Sequence, residues 1–259
     1  MPITTFIHFS DIHIRLNSGY DVLREASANF KKMLKSDYDP KECVLVCTGD
    51  VFHSKTSLTP EAVLFARSFF EDLMLLGFRV VVIPGNHDGN ENNPERRDAI
   101  QTLIPYFQKS DSACKDRFYY FRNTGIYDLD NVSFGVGSVF ASEPEQRIPP
   151  KASRIAKRGD HKNVPFRKVA LYHGIVRGAV YQNNKTDETS DCRLVDFEGY
   201  DMVLLGDIHK QQFLSSHCAY ASSFVQQNYG EDLKNHGFIV WDLKTNRGEF
   251  RRIPSQYGY

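Results

Sequence analysis

The chain has 259 residues, room for one large α/β domain or two small ones; no Ser/Gly/Pro-rich linker and no internal repeat divides it, so one domain over residues 1–259 is expected. Lysine plus arginine and aspartate plus glutamate balance at 32 each, so net charge argues neither for nor against nucleic acid, and any such contact must rest on local charge. No apolar run approaches ~20 residues and no basic segment with an apolar core opens the chain, so neither a membrane partner nor secretion is expected; five cysteines without a CxxC pair suit reduced thiols in an intracellular protein.

Residues 3–9 read as a first strand, followed by Ser10-Asp11-Ile12-His13. Asp11 and His13 lie two apart, so on an extended segment they point the same way and can bind one ion. The following stretch from Asn17 to Tyr20 reads first as an ordinary turn and second as a substrate-contacting one. Residues 21–35 carry Val22, Ala26, Phe30, Met33 and Leu34 at helical spacing. Residues 43–47 form a second apolar strand, and Thr48-Gly49-Asp50-Val51-Phe52-His53 follows it. Thr59, Pro60 and Glu61 start a helix that Gly77 stops.

Val80-Val81-Val82-Ile83 then predicts a strand buried on both faces. Pro84-Gly85 ends it, and Asn86-His87-Asp88 sits on the loop beyond its carboxyl end, where α/β sheets place ligands. Strand–helix repeats of this kind predict a mainly parallel, right-handed layer. A helix is expected from Asn93-Pro94 to Phe107. Short strands are expected over 117–121, 132–139, 168–172 and 200–205, with a closing hairpin of 238–243 and 248–253. His173-Gly174 and Gly206-Asp207-Ile208-His209 each follow one of these strands. Two facing sheets with outer helices result.

Five strand ends therefore carry Asp11/His13, Asp50, Asn86/His87/Asp88, His173 and Asp207/His209. One histidine at a strand end usually satisfies a structural bond. Five such ends in one chain are hard to explain as packing. Oxygen donors mixed with imidazole suit manganese, iron or zinc, and the set is large enough for two ions sharing Asp50.

The ordered motifs D-x-H, G-D, G-N-H-D, H-G and G-x-x-H resemble the calcineurin-like metallophosphoesterases over residues 3 to about 243. Gly49-Asp50-Val51-Phe52-His53, Tyr220-Ala221-Ser222-Ser223, Gln226-Gln227-Asn228 and His236-Gly237-Phe238 look like the SbcD-type DNA double-strand-break repair nucleases, the meiotic recombination eleven nuclease family. The resemblance implies a four-layer α/β/β/α sandwich and two divalent ions, Mn²⁺ first and Mg²⁺ second. Asp11, His13, Asp50 and His209 would hold one ion; Asp50, Asn86, His173 and the residue at 207 would hold the other. His87 would be the general acid, Asp88 its orienting partner, and His53 a residue handling DNA. The implied activity is exonuclease and endonuclease cleavage of DNA in repair or recombination. The implied partners are DNA and an SbcC-type SMC-like ATPase, with a homodimer allowed. Such nucleases normally continue into a small capping domain and an ATPase-binding segment; this chain stops about 16 residues after Leu243, so either a compact relative or a truncated chain is expected.

One position departs from the family, which has G-H-x-H where this chain has Gly206-Asp207-Ile208-His209. Asp207 either binds metal as a third carboxylate, favouring hard ions such as Mn²⁺ or Mg²⁺, or only hydrogen-bonds nearby. Between Arg147 and Lys168 lie eight basic residues, among them Arg154, Lys157, Arg158 and Lys162, against the one acid Asp160. They read either as a DNA-contacting loop beside the site or as a solvated one. Trp241 reads as core. A phosphatase or phosphodiesterase of the same superfamily is the alternative enzyme, and a scaffold without metals the non-enzyme one.

Overall fold

The computed structural model describes residues 1–15, 20–108, 114–156, 158–159 and 164–255. Two six-stranded sheets face each other. The first contains β1 (Thr5–Phe9), β2 (Cys43–Cys47), β3 (Arg79–Val82), β4 (Phe118–Tyr120), β11 (Gly237–Asp242) and β12 (Arg247–Arg252), in the order β12-β11-β1-β2-β3-β4. The second contains β5 (Gly125–Leu129), β6 (Val132–Gly137), β7 (Arg167–His173), β8 (Met202–Gly206), β9 (Gln212–Ser215) and β10 (Cys218–Tyr220), in the order β5-β6-β7-β8-β10-β9. Strands β1 to β4 run parallel, as do β6, β7, β8 and β10.

The apolar strands are buried on both faces, as their composition requires. In β2, Val44 and Val46 enter the core between the sheets, while Cys43, Leu45 and Cys47 pack under the helices. Val81 and Val80/Val82 of β3 divide the same way. Trp241 on β11 is fully buried in the inter-sheet core. Helices α1 (Tyr20–Asp37) and α2 (Pro60–Leu75) cover the first sheet. Thr59 caps α2 by accepting the Ala62 N–H at 3.2 Å, and Gly77 leaves the helix at φ +101°. The outer layer over the second sheet consists of short 3-10 turns, including those at Ala152–Arg154 and Leu194–Phe197, which pack Ala152, Ile155 and Phe197 on Ala170, Val203 and Leu205. The α/β/β/α order holds, with its fourth layer reduced to turns among the described residues.

The long helix expected up to Phe107 does not form. A 3-10 turn (Ile100–Thr102) and one turn of helix, α3 (Ile104–Phe107), replace it. Pro94 and Pro105 interrupt the pattern. Arg122 ties the non-helical stretch down by donating to the carbonyls of Pro94 and Arg96 and to Asp98. Residues 17–19 of the expected turn, with Lys157, Asp160 and Lys162, lie outside the described residues. No described helix is long and apolar enough to cross a membrane.

Parallel strands in both sheets aim their carboxyl ends at one edge. Thr48 beyond β2 accepts a hydrogen bond from His173 of β7 at 2.7 Å, joining the sheets there. Gly206 sits against Thr48 and Ser10, where a Cβ would collide with both. All five ligand-bearing strand ends meet at this edge.

Candidate metal centre

The site is built on irregular backbone. β1 ends at Phe9, and Asp11 and His13 then adopt φ of +51° and +50°. The extended geometry expected for this pair is therefore absent; two left-handed residues turn both side chains toward one point. Asp50 (φ +52°) and Asp207 (φ +92°) are held the same way. Such conformations cost roughly 1–3 kcal/mol each and persist where surrounding bonds impose them. Those bonds are present: Asp11 and His13 donate their N–H groups to Gly49 and Asp50 carbonyls at 3.0 Å each. Gly85 lies so close to Asp50 that a Cβ there would strike its carboxylate.

Two groups of donor atoms share Asp50. On one side His13 Nε2 lies 3.5 Å from Asp50 Oδ2, 3.9 Å from Asp11 Oδ1 and 3.0 Å from His209 Nε2. His209 Nε2 lies 3.8 Å from Asp11 Oδ1. On the other side His173 Nε2 lies 3.4 Å from Asp50 Oδ1, 3.4 Å from Asn86 Oδ1 and 3.7 Å from Asp207 Oδ1. Two ligands about 2.1 Å from one ion can stand at most about 4.2 Å apart, and every distance falls inside that limit. The tautomers suit metal as well. His173 Nδ1 donates to the Thr48 carbonyl and His209 Nδ1 to Glu231 Oε1 at 2.7 Å, so in both rings Nε2 is the atom that would face a metal. His13 Nδ1 is buried without a partner, and its Nε2 faces that of His209. A cation accounts for two imidazole nitrogens and two carboxylates gathered in so small a space. The residues fit two divalent ions.

The family model for calcineurin-like phosphoesterases matches residues 4–211. The chain is a calcineurin-like phosphoesterase. As a member it is a hydrolase of the metallophosphoesterase type, whose superfamily binds two divalent metals. A protein of Acanthamoeba polyphaga mimivirus, described as uncharacterized, is 35% identical over 256 residues, 97% of this chain and 18% of the viral protein. The crystal structure of a 5′-nucleotidase precursor from Thermus thermophilus has TM-score 0.45 and 14% identity, over 97% of this chain and 54% of that one. The phosphoesterase chain thus spans under a fifth of the viral relative and about half of the nucleotidase.

Burial and mutual attraction pull the charges of the phosphoesterase site in opposite directions. Burial pushes Asp11 up to about 6 and raises Asp207, while it drives His13 well below the usual imidazole range. Burial opposes charge at Asp50 and His173 too, but their mutual attraction prevails, lowering the carboxyl and raising the imidazole. His209 rises to about 9: burial works against its charge, and the Glu231 bond and Asp11 overcome that. Divalent cations would relieve these desolvated carboxylates.

His87 stands beside the cluster. Its backbone N–H donates to Asp50 Oδ1 at 2.8 Å, and its Nδ1 donates to the His53 carbonyl at 2.6 Å. His53 stacks on it with ring centroids 5.6 Å apart and planes at 24°. The His87 bond expected from Asp88 is made instead by the His53 carbonyl. Asp88 turns the other way: its oxygens accept the Phe52 and Gly85 N–H groups at 2.9 Å each, tying the two ligand loops together. Burial, then the charge of Asp50, pushes its carboxyl up to about 8.

The described basic residues of the 147–168 stretch divide: Arg147 pairs with Glu91 at 3.5 Å, three residues past Asp88, whereas Arg158 points elsewhere. Arg158 pairs with Asp128 on β5, opposite Ser133 at the start of β6 and at the far end of the sheet from His173. Arg154 is exposed on its 3-10 turn, also away from the cluster, and Lys157 and Lys162 lie outside the described residues. Two other residues at the site carried no signal in the pattern. Glu231 is buried and accepts from His209, Asn228, Ser223 and the Gln227 N–H. Arg15 donates to His53 Nε2 at 3.3 Å and to the Gln227 carbonyl. Their closeness to D-x-H and to Gln226-Gln227-Asn228 was the available hint.

Proposed function

We propose that this phosphoesterase is a metal-dependent DNA nuclease acting in repair or recombination, on Mn²⁺ or Mg²⁺. The observation that supports the reading is the His53–His87 pair beside the two Asp50-sharing donor groups: the His53 carbonyl fixes His87, the two rings stack at 24°, and with His13 they bring a third set of imidazoles within metal-binding reach of one another. The motif from Gly49 to His53 that resembles SbcD-type nucleases supplies His53. Two divalent ions in the cluster would activate a water and clamp the phosphate oxygens.

The chain's own groups do the rest. Because Nδ1 of His87 is committed to a carbonyl, Nε2 is the atom that, in the protonated ring, gives a proton to the departing ester oxygen. Asp88 fixes the loops that set the distance between Asp50 and His87. Arg15, beside His53, adds a cation where the phosphodiester backbone would pass. An SbcC-type SMC-like ATPase as partner, a homodimer and an intracellular location belong to the same proposal.

The test is incubation with Mn²⁺ and end-labelled single- and double-stranded oligonucleotides, with Asp50→Ala as control. Cleavage by the wild type and none by the variant supports the reading. Intact DNA alongside rapid hydrolysis of nitrophenyl phosphate would instead make the enzyme a phosphatase.

A further inference from the structure

A cavity of about 470 Å³ opens beside the second donor group, within the range of small-molecule pockets. Asp207 and His209 of the metal cluster are among its lining residues. The rest of its lining is Ile175, Ile208 and Tyr181, the amide residues Gln182, Asn183 and Asn228, and Gly230 with Glu231. None of its described lining residues is a lysine or arginine, so it suits an uncharged group rather than a second phosphate.

Tyr181 is fixed before any ligand arrives. Its N–H donates to the Lys185 carbonyl and its hydroxyl to Asp187 Oδ2, each at 2.9 Å. Asp187 is itself buried and accepts the Thr189 and Ser190 N–H groups. A bridge between Val180 and Thr186 closes this small hairpin, and Gln212 clamps Val180 through both its N–H and its carbonyl at 2.8 Å. Lys210, one residue past His209, anchors the tip through Asn184 at 2.6 Å. With its hydroxyl engaged, Tyr181 offers a ligand its ring face.

We propose that this cavity binds the nucleobase of the nucleotide whose phosphate lies on the metal cluster, with Tyr181 as the stacking surface and the amides of Gln182 and Asn183 at the base edge. The proposal rests on the phosphodiesterase reading for its natural substrate. Its chemistry is that of a planar, uncharged, polar-edged group attached to a phosphate. Stacking on a preorganised ring tolerates any base, whereas amide contacts discriminate among edges.

The test measures equilibrium binding, in the presence of Mn²⁺, of deoxyadenosine 5′-monophosphate and of deoxyribose 5-phosphate. The wild type should prefer the nucleotide roughly ten- to a hundredfold. Tyr181→Ala should erase most of that preference while binding deoxyribose 5-phosphate as before, and Tyr181→Phe should keep it. Equal binding of both ligands by the wild type overturns the proposal. So does an equal loss for both in Tyr181→Ala, which marks the hairpin as merely structural. Oligonucleotide cleavage is scored separately. Base preference without DNA cleavage would leave the pocket standing and sink the nuclease reading; DNA cleavage without base preference would do the reverse.

Discussion

Glu231→Gln isolates the support behind one metal ligand. Glu231 accepts four hydrogen bonds, from His209 Nδ1 at 2.7 Å, Gln227 N–H at 2.8 Å, Asn228 Nδ2 at 3.0 Å and Ser223 Oγ at 3.1 Å. Truncation to alanine would strand buried donors at about 1–3 kcal/mol each, confusing folding with binding. Glutamine keeps the volume, and its one carbonyl oxygen can still hold His209 while Ser223 rotates to accept. The cost is then mainly the clash of the new amide with the Gln227 N–H, plus the lost charge behind the imidazole. Removing such a partner typically weakens metal binding 10–100-fold, about 1.4–2.7 kcal/mol. The loss should fall on the ion held by Asp11, His13 and His209, because His173 is oriented independently by the Thr48 carbonyl. Calorimetric titration with Mn²⁺ should show one weakened and one unchanged site. Nitrogen NMR of the metal-free protein should show His209 keeping its Nδ1–H bond but titrating lower than in the wild type, because the Glu231 charge that raises it is gone. Unchanged affinity, or equal weakening of both sites, would refute the reasoning.

Three further outcomes are expected. His87→Ala should slow DNA cleavage roughly 10²–10⁴-fold with metal content intact, and a nitrophenyl ester, whose leaving group needs no proton, should lose less; equal losses in the two rate assays would remove the acid role. Asp207→Ala should empty or weaken only the second ion and Asp207→His should restore it with a shift toward Zn²⁺, as read by native mass spectrometry; two ions at wild-type affinity in Asp207→Ala would show that the 3.7 Å approach to His173 is not a ligand geometry. Burial pushes the Cys43 thiol up to about 11, Cys192 up to about 12, and Cys47 and Cys218 up as well, so these groups stay protonated at pH 8; iodoacetamide should modify them only after denaturation, and rapid native labelling would contradict the packing of β2, of β10 and of the Cys192 loop against the second sheet.

The strands that carry ligands were legible because parallel strands buried on both faces leave continuous aliphatic runs, as at Val80 to Ile83. The half-exposed strands β5 and β9 and the three-residue β10 carry no such run. The ligands were legible because each must follow a strand end, so sequence order stands in for space. The left-handed backbone at Asp11 and His13 was not, because non-glycine residues take it only where tertiary bonds impose it. Asp88 read as the partner of His87 because they are adjacent, yet adjacent side chains in a tight loop point apart, and a backbone carbonyl thirty-four residues away took the role. Glu231 was hidden for the same reason, since its bond to His209 spans 22 residues with no periodic signal.

The central claim is phosphodiester hydrolysis on DNA by the cluster around Asp50. The most direct test is a single-turnover reaction of a defined oligonucleotide with Mn²⁺ in ¹⁸O-labelled water, with products identified by mass spectrometry. The account predicts shortened DNA or nucleotides whose phosphate stays attached and carries one ¹⁸O, and no product from Asp50→Ala. Release of labelled inorganic phosphate from nucleotides while the oligonucleotide remains whole would contradict it.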